Sequence, residues 1–118
     1  LPISPHYYLI NYLWRVKKMY KYIATTKEWR DKVNGNSYFS TNIEDVEQDK
    51  NYILPFQYGY GSQSEYETKQ VLKTINPNVS WDDIKFIKID KCLKKEVKQH
   101  GQGIEENYIS NPGYYYQD

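Results

Sequence analysis

Two stretches decide the fold: Val33-Asn34-Gly35-Asn36-Ser37-Tyr38-Phe39-Ser40 and Leu54-Pro55-Phe56-Gln57-Tyr58-Gly59-Tyr60-Gly61. In the first, Asn-Gly is a strong short hairpin signal, because both residues tolerate positive φ. Tyr20–Thr25 before it and Ser37–Ile43 after it are aromatic and β-branched, and read as paired strands. In the second, Asn51–Gln57 reads as a third strand. Pro55 has no N–H for a ladder, so this strand belongs at a sheet edge or ends there. Gly59-Tyr60-Gly61 then breaks the extended pattern.

Working outward, a helix is expected after Gly61. Ser64-x-x-Glu67 forms a capping box, with Ser62-x-x-Glu65 as an alternative one turn earlier. Thr68, Val71, Leu72 and Ile75 recur at helical spacing and should face a sheet. Asn76-Pro77 stops the helix. Ser80-Trp81-Asp82-Asp83 reads as a cap or helical turn, Ile84–Asp90 as a strand, and Leu93–His100 as a strand or a short basic helix. Gly101–Asp118 is a polar, Tyr-containing tail expected to be extended. The fold class is therefore α+β, a small antiparallel β-β-β-α-β sheet covered by one main helix.

Three regions follow from this reading: 1–18, an apolar N-terminal helix or arm; 19–92, the α+β core; and 93–118, a basic segment and Tyr-rich tail. Ser4-Pro5 suits a helix start, and His6–Lys18 is apolar around most of a helical wheel. Such a helix calls for burial against another subunit or a partner. Met19 also reads as a natural start, so Leu1–Lys18 is alternatively leader sequence.

The chain has 118 residues, the size of one domain, and 14 of them are tyrosines. Tyr fills cores and also suits binding surfaces, with a large rigid ring and a polar tip. Charge does not segregate: residues 1–61 hold eight Lys/Arg and six Asp/Glu, residues 62–118 eight and nine. That balance argues against tight non-specific nucleic-acid binding, which needs a basic excess. One cysteine, Cys92, cannot form an intramolecular disulfide, which fits a reducing compartment. No apolar run has the length of a membrane span.

Catalytic and metal chemistry find little footing. His6 and His100 have no adjacent nucleophile in a recognised arrangement, and with a single Cys they do not make a zinc site. Asp82 and Asp83 suit the first turn of a helix. Glu44, Asp45, Glu47 and Asp49 lack the spacing of a calcium loop. Cys92, among Lys91, Lys94 and Lys95, reads as an inert thiol more readily than a reactive one. The expectation is no enzyme, no cofactor and no metal. The Gly59-x-Gly61 turn into a helix has the form of an anion site, yet it lacks both the phosphate-loop lysine and the third dinucleotide glycine. Tyr58 and Tyr60 beside it would clamp a nucleotide-like ligand or an extended partner. The candidate ligand- or partner-binding residues are Gln57, Tyr58, Gly59, Tyr60, Gly61 and Ser62.

Trp29–Ser40 followed by Leu54–Gly61 and a capped helix resembles small uncharacterised tailed-bacteriophage proteins, over about Met19–Asn76. The resemblance implies a phage accessory protein in the host cell cytoplasm. Its partner would be a host protein or a small nucleotide-like ligand, bound in host interference, anti-defence inhibition or ligand sequestration. The apolar segment adds an expected homo-oligomer. A weaker likeness is to double-stranded RNA-binding domains and integrase arm-binding domains. There the phosphate-gripping lysines would fall at Ser62, Gln63, Ser64, Glu65 and Glu67, which hold no base. A nucleic-acid module using Lys85, Lys88, Lys91, Lys94, Lys95 and Lys98 is one alternative. A structural virion component is the other.

Overall fold

The computed structural model describes residues 5–102. In order they form α1 (Pro5–Met19), β1 (Tyr22–Asp31), β2 (Asn36–Asp45), β3 (Lys50–Tyr58), α2 (Gln63–Ile75), a short 3-10 turn (Trp81–Asp83), β4 (Ile84–Ile89) and α3 (Lys94–His100). Fold class and element order are as expected, and Leu93–His100 resolves in favour of the helix. The tail beyond Gln102 lies outside the described residues.

The sheet order is β3-β2-β1-β4. β1 and β2 pair antiparallel, as do β2 and β3, but β4 lies parallel to β1, with Tyr22 opposite Ile84. The sheet is therefore mixed rather than wholly antiparallel. The cause is the connection: a strand that returns through a helix arrives running in the direction of the strand before it. β3 and β4 form opposite borders, and α2 carries the chain across between them. Pro55 sits on the border strand β3, where a missing N–H is tolerated.

Strand alternation divides the sheet into two faces. One carries Tyr22 and Ala24, Phe39 and Ile43, Tyr52 and Leu54, and Ile84, packed under Val71 and Leu72 of α2. Thr68 joins them, and Ile75 packs at the margin. Phe39, Ile43, Leu54 and Leu72 are fully sealed, each contributing about 1.5–3 kcal/mol. On the other face Val97 of α3 is sealed over Ser40, whose Oγ donates to Val97 O at 2.6 Å. The last turn of α1 is anchored to the domain, with Val16 buried and Lys17 paired with Glu44 at 3.4 Å.

Two local expectations change. The hairpin does not turn on two residues. Strand pairing ends at Asp31 opposite Asn36, and the residues between them form the loop. Asp31 organises it, accepting from Val33 N, Asn34 N and Asn34 Nδ2, while only Gly35 takes positive φ, at 72°. A carboxylate that captures three donors stabilises the longer loop. At α2 neither capping box forms: the helix starts at Gln63, and Ser62 makes no side-chain cap bond. Ser64 falls inside the first turn, buried, and its carbonyl accepts from Thr68 Oγ1 at 2.7 Å. The capping box at Ser80 and Asp83 does form.

Candidate functional site

A register shift between Phe39 and Thr41 shapes the region that follows. Gln57 pairs with Phe39 and Leu54 with Thr41, so Pro55 and Phe56 together oppose Ser40. This bulge keeps Gln57 on the α2 face and turns Phe56 to the other face. There Phe56 meets Tyr38, and Tyr38 meets its cross-strand partner Trp29.

The outcome is an aromatic strip across three strands. Trp29 and Tyr38 stack with centroids 5.4 Å apart, and Tyr38 and Phe56 at 5.1 Å with planes 3° apart. Tyr58 meets Tyr38 edge-on at 5.8 Å and Tyr60 edge-on at 5.0 Å. The Tyr58 hydroxyl donates to that of Tyr60, which donates to Asn36 Oδ1 at 3.4 Å. α3 borders the strip with two lysines one turn apart: Lys94 Nζ lies 5.2 Å from the Trp29 ring centre and Lys98 Nζ 5.4 Å from that of Phe56. Trp29, Tyr38, Phe56 and Tyr58 are half-buried, and Tyr60 is 48% exposed.

Of the six residues singled out from the sequence, Tyr58 and Tyr60 belong to this strip and the others do not. Gln57 is on the opposite face, 1% exposed, with Nε2 donating to Pro55 O. Gly59 is buried against Phe39, where a Cβ would lie 2.5 Å from Cε1. Gly61 has φ 54°, and its carbonyl accepts from Lys88 Nζ at 3.0 Å. At the start of α2, Gln63 N donates to Tyr60 O and Glu65 N to Ser62 O. These engaged donors, with Glu65 in the first turn, weaken the anion-site reading.

Trp29, Tyr38 and Phe56 were missed as site residues, and Lys94 and Lys98 were read only as members of a basic stripe. Equal spacing of Trp29 and Tyr38 about the hairpin loop was a usable signal for the first pair, whereas Phe56 reaches the strip only through the bulge. The lysines proposed as one basic stripe separate: Lys85 pairs in register with Ile23 and Lys88 with Thr26, on opposite faces. Lys88 is further tied to Glu28 at 3.1 Å.

Two buried acceptors stand out on the α2 face. Among the described residues, Gln57 Oε1 and Glu67 Oε2 find no hydrogen-bond partner, and desolvation raises the Glu67 pKa above its ordinary value. His100 is shifted the other way, its charged form penalised mainly by desolvation, while Nε2 bonds to Thr25 O at 2.9 Å. Cys92 Sγ donates to Ile89 O at 3.4 Å. Among the described residues no three His, Cys, Asp or Glu side chains are placed to share a metal ion, and no helix is long and apolar enough to cross a membrane. No protein-family model, curated protein or solved structure matches the chain.

Proposed function

We propose that this is a phage-type accessory protein that works by binding, without catalysis, and that the strip from Trp29 to Tyr60 is its contact surface. The observation that carries this reading is a row of five aromatic residues beside two ring-bound lysines, four of the rings half-buried and Tyr60 exposed at the surface of the domain. Large rings held by neighbours lose little entropy on binding, which is why interfaces concentrate affinity in them. The phage setting rests on the sequence resemblance, and host interference is the activity proposed within it.

Assembly as a homo-oligomer is a second part of the proposal. Tyr8, Leu9, Ile10, Tyr12, Leu13 and Trp14 of α1 are all exposed, and contiguous apolar surface of this kind favours association.

The test is affinity capture from infected bacterial lysate, with proteins and small molecules identified by mass spectrometry. Wild-type chain should retain a component that Tyr60→Ala and Trp29→Ala lose while remaining folded. Equal retention by the variants would remove the strip from the mechanism. Light scattering addresses assembly, and a clean monomer with α1 accessible to protease would end that part.

A further inference from the structure

We infer that the strip and α3 together dock an extended acidic segment of a partner protein. This deepens the binding reading and rests on it. In the stack of Trp29, Tyr38 and Phe56 the rings turn their faces to one another, and Lys94 and Lys98 lie over Trp29 and Phe56. What these three rings leave outward is ring edge, the electropositive part of an aromatic quadrupole. Edges favour carboxylate and carbonyl oxygens; they offer no platform for a base.

The charges beside the strip have the same sign. Lys91, Lys94, Lys95 and Lys98 are all exposed, and the ion pairs found among the described residues use Lys17 and Lys88 instead. Two acids beside these lysines already have backbone or side-chain partners of their own. Glu96 accepts from Leu93 N, and Asp31 holds the hairpin loop, its pKa lowered first by the Asn34 amide. An exposed cation–π contact is weak, so a partner carboxylate can draw a lysine from its ring at small cost. Three strands at about 4.8 Å spacing give a strip about 10 Å across, which about three extended residues span. Tyr58 and Tyr60 continue it past the end of β3.

Single-stranded nucleic acid also carries negative charge, but it is held by stacking on open ring faces and by a basic excess. Here the faces of Trp29, Tyr38 and Phe56 are engaged by one another and by Lys94 and Lys98, and the formal net charge is +1.

The experiment measures binding of a labelled synthetic peptide of alternating Glu and Tyr to the full chain. The comparators are the Gln-Tyr peptide and oligothymidylate. The Glu-Tyr peptide should bind about tenfold tighter than the Gln-Tyr peptide, and weaken severalfold between about 50 and about 300 mM salt. Lys94→Glu with Lys98→Glu should cost about tenfold or more. Lys95→Glu, at the neighbouring exposed position of α3, should cost about threefold and guards against a simple packing defect in the double variant. Equal binding of the two peptides, no binding of either, indifference to both lysine variants, or displacement by oligothymidylate would each overturn the inference. If the peptides fail while Tyr60→Ala still abolishes capture from lysate, the acidic partner falls and the binding surface stands.

Discussion

Gly59 and Phe39 occupy adjoining space so closely that a Cβ at position 59 would sit 2.5 Å from Phe39 Cε1 and 3.0 Å from Cδ1. Phe39 is 2% exposed and walled in by the α2 face, so the ring has nowhere to retreat. Gly59→Ala should therefore destabilise the fold by about 1–3 kcal/mol, the range for overpacking a closed core. Gly35→Ala meets no atom within 4 Å and should cost about 1 kcal/mol, through its φ of 72° alone. Urea unfolding of the two variants checks the order.

Thr26 and Thr41 face each other across β1 and β2, with hydroxyls 2.7 Å apart and both side chains buried. Thr26→Val strands one hydroxyl without a partner and should cost about 1–3 kcal/mol. Replacing both with Val removes donor and acceptor together and should cost less than the two single changes added. A double-mutant cycle measured by chemical denaturation reads the coupling.

Glu67 is 7% exposed, and desolvation raises its pKa. Its folded pKa exceeds the unfolded value, so below the unfolded value its stability contribution is fully present, and it is lost as pH rises through the folded pKa. Glu67→Gln should flatten the decline in stability between about pH 4.5 and about pH 7. Denaturant midpoints across that window provide the measurement. A wild-type midpoint no steeper in pH than that of the variant would contradict the assignment.

His100 should give the opposite slope. Its folded pKa lies below the unfolded value, from desolvation first and then Lys27, with the Thr25 carbonyl opposing. The unfolded state then binds the proton more readily, so stability falls as pH drops from about 7 to about 5. His100→Gln should weaken that fall. An NMR titration of the His100 ring gives the same answer independently, as a midpoint below that of a free histidine.

What the sequence disclosed and what it hid divide along a physical line. Thr68, Val71, Leu72 and Ile75 announced the buried side of α2 because helical spacing is local information. Pro55 announced a border strand for the same reason. The parallel pairing of Tyr22 with Ile84 was not legible, since it depends on how α2 carries the chain across the sheet. Gln57 and Tyr58 were grouped as one surface, but adjacent strand residues point to opposite faces, and only Tyr58 joins the strip. Phe56 was invisible as a partner of Tyr38 because a bulge opposite Ser40 has no reliable signature in sequence. Lys94 and Lys98 were seen as charge, while their seats over Trp29 and Phe56 required the docking of α3.

The pairing of β1 with β4 also sets an order of events on the ribosome. β1, β2 and β3 are joined by short connections and can associate as soon as they emerge. The outer edge of β1 has to wait until Ile84–Ile89 has been synthesised. Until then a nascent chain displays a bare strand edge carrying Tyr22, Ala24 and Thr26, the kind of edge that recruits other chains. Closing the sheet late, through a contact distant in sequence, makes the finished domain depend on its C-terminal half for protection against self-association during synthesis.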